Sequence, residues 1–301
     1  MLSQVMFKKF RVIFYTTLVI MFCFGSQAGA DEKKDIDAAI EAAEQGDAKA
    51  QCNLGTMYAN SQGIPQDYKK AFYWYTKAAE QGDAEAQFNL GTMYDNGQGV
   101  PQDYKKAVYL YTKAAEQGCA LAQSNLGAMY YFGQGVPQDY KKAVYWYSKA
   151  VEQGYALAQS NLGFMYDNGQ GVPQDYKKAV YWYTKAVEQG CALAQSNLGV
   201  MYDNGKGVPQ DYKKAVYWYT KAAEQGCALA QSNLGFMYKN GTGVPQNYVI
   251  AYAWWNLSSA NGYKNSIKGR DLLSRKMTRQ QIAQAQELSV KFQDKIDRAN
   301  K

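Results

Sequence analysis

The sequence predicts an all-α fold, a right-handed superhelical solenoid of antiparallel helix pairs. Three observations carry this. The only prolines, Pro65, Pro101, Pro137, Pro173, Pro209 and Pro245, recur every 36 residues, each within G-[VI]-P-Q-[DN]-Y. Nearly the same text surrounds each one: A-x-A-Q-x-N-L-G-x-M-Y, a glycine-rich loop, then D-Y-K-K-A-V-Y-W-Y-T-K-A-A-E-Q-G. Within each copy the apolar residues fall at helical spacing. A unit this short buries its apolar face only against its neighbours, so the copies must stack.

The first segment, residues 1–30, has the pattern of a cleaved leader. Lys8, Lys9 and Arg11 precede the 13-residue apolar run from Val12 to Phe24, and Ala28-Gly29-Ala30 supplies the small residues of a cleavage site before Asp31. The run is shorter than the about 20 residues a bilayer requires. The bulky Phe22 before Cys23 argues against a lipid-modified cysteine. An exported chain, periplasmic or alternatively secreted, without a membrane span, is the expectation.

Residues 35–46 match only the end of a second helix, so 31–46 read as an N-terminal cap half-repeat. Six full units follow over 47–262, starting at 47, 83, 119, 155, 191 and 227. In residues 83–118, Ala84, Ala86, Leu90, Gly91 and Tyr94 form one helical face, which ends at Asn96-Gly97. Pro101 cannot continue that helix, and Asp103 is placed to cap the second. There Tyr104, Ala107, Val108, Leu110, Tyr111, Ala114 and Ala115 supply the packing face, with Lys105, Lys106 and Lys113 outward. Residues 263–301 read as a degenerate repeat and a C-terminal capping helix. In it, Thr278 and Gln281 form a capping box, and Ile282, Ala285, Leu288, Phe292 and Ile296 give one apolar face.

Charge is uneven. The net +7 becomes +4 once the leader is removed; residues 31–262 carry 20 Lys/Arg against 22 Asp/Glu, and residues 263–301 carry 10 against 4. The basic excess belongs to the tail, most simply a solvated helix face. Acidic repeats with almost no arginine make nucleic acid an unsuitable partner.

These motifs resemble the Sel-one-like repeat family, relatives of the tetratricopeptide repeats, strongly over 35–262 and weakly in the tail. Leu110 in place of Trp and Tyr131-Phe132 in place of Asp-Asn are the departures. The resemblance implies a non-catalytic scaffold or adaptor with a protein or peptide partner. For exported bacterial members it implies links to signalling, envelope processes or host contact. Some exported members carry paired cysteines bridging the helices of each unit, whereas no repeat here holds two. Cysteine-rich relatives imply, as the enzyme-class alternative, β-lactam binding or hydrolysis. A structural spacer is a third reading.

Comparing the copies locates what is not scaffold. Variation concentrates at four first-helix offsets. The first holds Lys49, Glu85, Leu121, Leu157, Leu193 and Leu229. The second holds Cys52, Phe88, Ser124, Ser160, Ser196 and Ser232, and the third Thr56, Thr92, Ala128, Phe164, Val200 and Phe236. The fourth holds Ala59, Asp95, Tyr131, Asp167, Asp203 and Lys239. These lie at i, i+3, i+7 and i+10, one stripe of a helix. A stripe free to vary is expected to stay exposed rather than pack between units, lining a concave groove. Phe88, Leu121, Tyr131, Leu157, Phe164, Leu193, Val200, Leu229 and Phe236 are the candidate partner-binding residues. The once-per-repeat Trp74, Trp146, Trp182, Trp218 and Trp254, with tyrosines on both sides, are expected in the core rather than at a ligand.

Catalysis has few residues to use. The chain has no histidine, which excludes Ser-His and Cys-His nucleophile pairs and histidine metal sites. No S-x-x-K, K-T-G or P-loop motif occurs, and the loop glycines join two helices. Neither a cofactor nor a metal is expected, and the chain is read as a monomer. Cys191 and Cys227 lie in adjacent units about 10 Å apart at normal helix spacing, too far for a disulfide, so mostly free thiols are expected. Cys119, Cys191 and Cys227 sit at predicted first-helix starts, where a helix N-terminus favours a thiolate. Their simpler reading is a small residue in the capping place of Asp47 and Asp83.

Overall fold

A computed structural model describes residues 28–299. Among them are fifteen α-helices and no strand. They are α1 (Ala28–Glu44), α2 (Ala48–Asn60), α3 (Tyr68–Glu80), α4 (Ala84–Asn96), α5 (Tyr104–Glu116), α6 (Ala120–Phe132), α7 (Tyr140–Glu152), α8 (Ala156–Asn168), α9 (Tyr176–Glu188), α10 (Ala192–Asn204), α11 (Tyr212–Glu224), α12 (Ala228–Asn240), α13 (Tyr248–Ala260), α14 (Lys264–Ser274) and α15 (Arg279–Ala299). The leader signals from Lys8 to Phe24 lie outside the described residues. The chain divides into two compact units, residues 1–146 and 147–301, and the division falls inside α7 rather than in a linker.

The recurring motif explains itself as hydrogen bonds. First helices open on Asp47 and Asp83, whose carboxylates accept from the N–H of Ala50 at 2.6 Å and of Ala86 at 2.7 Å. Second helices open on the Asp of P-Q-D-Y: Asp103 accepts from the N–H of Lys105 at 3.0 Å and of Lys106 at 3.1 Å. The Gln of the same phrase closes the loop, since Gln102 Nε2 donates to the Asp95 carbonyl at 2.6 Å. Gln66, Gln138, Gln174, Gln210 and Gln246 do likewise, seven residues back in each copy. The loop needs glycine twice. Gly97 ends α4 at φ +69°, and a Cβ on Gly99 (φ +72°) would lie 2.5 Å from the carbonyl oxygen of Tyr68.

In the first unit, α1 packs on α2, and α2 to α6 pack each on the next. The invariant first-helix glutamine is the buried polar link. Gln51 Nε2 donates to the Ala43 carbonyl at 3.0 Å, and its Oε1 accepts from Gln81 at 2.8 Å. Gln87 repeats this with Ala79 and Gln117. Buried amides satisfied in this way fix the register of one helix on another. The cores are made of Ala71, Tyr75, Ala78, Ala86, Leu90 and Met93, then Ala107, Tyr111, Ala114, Leu126 and Met129.

The second unit repeats the scheme. Helices α8 to α14 pack each on the next, with cores such as Ala179, Tyr183, Ala186, Ala194, Leu198 and Met201. Its C-terminus departs from the repeat. Helix α15 lies along α13, where Phe292 stacks on Trp254 with centroids 4.2 Å apart and planes at 18°. The capping box closes in both directions: Thr278 N–H donates to Gln281 Oε1 at 2.9 Å, and Gln281 N–H to Thr278 Oγ1 at 3.2 Å. The tail's lysines are mostly solvated, and Lys295 reaches Glu224 at 2.7 Å.

The aromatic triplet Tyr-Trp-Tyr is sorted by depth, which corrects the expectation that the tryptophan offset is core. The last tyrosine is the buried one. Tyr75, Tyr111, Tyr183 and Tyr219 lie on Gly55, Gly91, Gly163 and Gly199 of the facing first helix, and Trp255 takes this role on Gly235. At the tryptophan offset, Trp74, Trp146, Trp182 and Trp218 are half-buried, and Trp254, under α15, is buried. The first tyrosines, such as Tyr109 (58% exposed), face solvent. The reason is angular. Adjacent helical positions differ by about 100°, so only one of three consecutive rings can face the partner helix.

Candidate functional site

The four drifting offsets form a stripe about 80° wide, since i and i+7 differ by about 20° while i+3 and i+10 lie about 60° and 80° away. That width decides their fate. The i and i+7 positions remain on the surface in most copies. The i+3 positions are all buried, Cys52, Phe88, Ser124, Ser160, Ser196 and Ser232 alike. The expectation that the whole stripe stays exposed is therefore corrected.

In the first unit, Leu121 is 42% exposed, on the outside of α6. Phe88 is buried in the core beside Tyr111, with ring centroids 5.8 Å apart. Tyr131 is buried against Tyr140 and Phe132. Neither has the exposure a partner requires. In the second unit, Leu157, Leu193, Leu229, Phe164 and Val200 are half-buried, and Phe236 is 42% exposed while its ring edge rests on Trp255. These six side chains repeat the same two offsets on α8, α10 and α12. The first helices α8 and α10 touch, and no comparable contact joins the second helices α9 and α11.

The i+7 and i+10 offsets also control the buried tyrosine. Tyr75 donates its hydroxyl to Thr56 at 3.0 Å. Tyr111 shares a 3.2 Å hydrogen bond with Thr92 and donates to Asp95 at 3.3 Å. Tyr219, whose copy has Val200 instead of threonine, donates to Asp203 at 3.3 Å. Burial pushes the Asp203 carboxyl above the usual carboxylate range, against the lowering pull of the Tyr219 hydroxyl. Sequence comparison flagged these aspartates as variable but gave no sign that a tyrosine from the other helix meets them.

Four of the i+3 residues meet the capping position of the next first helix. Cys52 sits beside Asp83, Phe88 packs near Cys119, and Ser160 and Ser196 lie by Cys191 and Cys227. All four described cysteines are free thiols. At Cys119, Cys191 and Cys227 the helix N-terminus does pull the thiol down, through the amides of Leu121 and Ala122 at Cys119, for example. Burial is the larger effect and raises all four, Cys52 from its ordinary value near 9 to about 12. The thiolate, the reacting species, is scarce at neutral pH in consequence. We expect Ellman's reagent at pH 8 to react with Cys52 and Cys227 in the folded chain at least a hundredfold more slowly than in urea. Fast native labelling of Cys227 would favour a reactive thiol over the reading as a small capping residue.

No group of three or more His, Cys, Asp and Glu among the described residues is arranged to hold a metal ion. Among them, too, no helix is long and apolar enough to cross a membrane.

The model of the Sel1 repeat matches six consecutive stretches, residues 48–83, 84–119, 120–155, 156–191, 192–227 and 228–263, in register with the helix pairs. The chain belongs to the Sel1 repeat family. Among solved structures it is similar to a Sel1 repeat protein from Oxalobacter formigenes, at 34% identity over 77% of this chain and 95% of that one, with a TM-score of 0.71. It is also similar to a protective antigen present in uropathogenic Escherichia coli strains, displaying an SLR fold, at 31% identity over 91% of this chain and 76% of that one, TM-score 0.38. A further similarity is to Helicobacter pylori cysteine rich protein B, at 29% identity over 44% and 96%, TM-score 0.36. No curated protein matches the sequence. Membership confirms an α-solenoid built from helix pairs, and Sel1 repeat proteins are generally protein-interaction scaffolds.

Proposed function

We propose that this Sel1 repeat protein is an exported, non-catalytic adaptor that holds a protein or peptide partner against its first-helix faces. One observation carries the reading. On α8, α10 and α12 the i and i+7 offsets put Leu157, Phe164, Leu193, Val200, Leu229 and Phe236 on the same helical face, none of them fully buried. Apolar side chains repeated on an accessible face, beside the polar i+10 residues Asp167, Asp203 and Lys239, are the composition of an interaction site. Leu121 presents the same offset in the first unit. The leader pattern supports a periplasmic destination, with the mature chain beginning at Asp31 and acting as a monomer.

The test is the triple variant Leu157→Asp, Phe164→Asp and Leu193→Asp, used as bait for envelope proteins. The wild-type chain retains a partner and the variant loses it by tenfold or more, with unchanged helical circular dichroism. A folded variant that keeps every partner overturns the assignment. N-terminal sequencing of the protein from the periplasmic fraction checks the export half, and an intact Met1 there contradicts it.

A further inference from the structure

The fourth copy breaks the rule that the buried tyrosine has a partner. Tyr183 is fully buried on Gly163, as its equivalents are on theirs, yet its hydroxyl has no hydrogen-bond partner. Its copy carries Phe164 where Thr56 and Thr92 hold Tyr75 and Tyr111. The aspartate that holds Tyr219 in the next copy is here Asp167, and its Oδ1 is likewise buried and unpaired. The two groups are close enough for the Asp167 charge to raise the Tyr183 pKa, in the same direction as the larger effect of burial. Buried polar atoms without partners are rare, and each requires a reason.

A second peculiarity fixes the charge. The loop of the following copy holds Lys206, where the other loops have Gln62, Gln98, Gln134, Gln170 and Thr242. Its ammonium lies over the Tyr176 ring at 5.1 Å and partly offsets the burial of the Asp167 carboxylate. A carboxylate with an ammonium this near offers less to a free cation than a lone one would. At this pair one hydroxyl donor and one carboxylate acceptor remain open, with Phe164 packed on the cluster that holds Tyr183. The group that complements a donor beside an acceptor, without charge, is a carboxamide.

We infer that the first-helix face of the second unit recognises an asparagine or glutamine side chain of its partner, its carbonyl accepting from the Tyr183 hydroxyl and its NH2 donating to Asp167 Oδ1. A side chain rather than the partner's main chain is assigned because Tyr183 lies below the surface that a bound backbone would follow. Phe164, packed on the cluster that contains Tyr183, has to turn aside to admit it. The inference rests on the adaptor reading and specifies its partner.

The probe is a phage-displayed library of random dodecapeptides selected on the immobilised full chain. The expected peptides need Leu193 for binding and share one Asn or Gln flanked by apolar residues. Against such a peptide, Tyr183→Phe and Asp167→Asn each weaken binding by about tenfold, the worth of one buried hydrogen bond. Replacing the peptide's Gln with Leu then has no further effect in Tyr183→Phe. Lys206→Gln, which restores the residue of the other loops, shifts selection toward Lys or Arg. Peptides that need Leu193 but share no amide, or that ignore Tyr183→Phe, overturn the inference and leave the adaptor reading standing. Selection yielding only peptides indifferent to Leu193→Asp removes both.

Discussion

Gly199→Ala is expected to destabilise the second unit by about 1–3 kcal/mol, the cost of forcing extra volume into a packed interface. The sign is informative because helix propensity argues the other way. Alanine is favoured over glycine within a helix by about 1 kcal/mol. Packing decides against it here. A Cβ on Gly199 would lie 2.6 Å from Cδ1 and 2.7 Å from Cε1 of Tyr219, atoms of a buried ring with no room to retreat. The glycine is thus the socket for the tyrosine of the second helix. Gly55, Gly91 and Gly163 meet Tyr75, Tyr111 and Tyr183 in the same way. Urea unfolding should show a lower midpoint for Gly199→Ala, and Tyr219→Leu placed on top should recover part of the loss. Hydrogen exchange should place the weakening in α10 and α11, because a stack loses stability locally. An unchanged or raised midpoint would show that the ring moves freely and is not the lock between the helices.

The fold was legible because the sequence states it six times. Prolines at one spacing, an Asp or Asn at each second-helix start and Asn-Gly at most first-helix ends place the boundaries, and the Asp, Asn and Gly turned out to be hydrogen bonds or left-handed residues. The candidate site was legible only in part. Variation between copies marks positions that do not hold a shared core, which is not the same as positions on the surface. Phe88 and the serines at its offset differ and yet are buried, Phe88 near Cys119 and Ser160 and Ser196 by Cys191 and Cys227. Tyr131 is likewise buried, beside Tyr140. The i and i+7 residues Leu157, Phe164, Leu193 and Val200 lie at drifting offsets and keep part of their surface in solvent. The pairing of Tyr219 with Asp203 could not be read at all. It joins residues 16 apart on two helices, and only packing shows which face of each ring is turned where.

Deleting residues 279–301 is expected to have the largest effect, turning a well-behaved chain into one that self-associates. The sixth copy shows why. Its second helix has lost the polar face of the others. Where α11 has Lys213, Lys214, Tyr217, Lys221 and Glu224, α13 has Val249, Ile250, Ala253, Leu257 and Ala260. Those changes accompany the cover: Ala253, Trp254 and Leu257 are buried, and Phe292 of α15 stacks on Trp254. An Asn256 to Ser289 hydrogen bond of 3.0 Å and the Lys295–Glu224 pair fix its position. The ion pair is largely solvated and contributes little, so the apolar seam supplies most of the hold. Phe292→Ala removes one half-buried ring and should cost about 2–3 kcal/mol, below the range for a fully buried phenylalanine. The deletion uncovers the whole seam, including an indole, and an open-ended stack with an apolar last face associates through it. Light scattering after size exclusion should report a concentration-dependent rise in mass for the truncated chain and a constant mass for Phe292→Ala. A truncated chain that stays monomeric with an unchanged melting temperature would show that α13 does not depend on this cover.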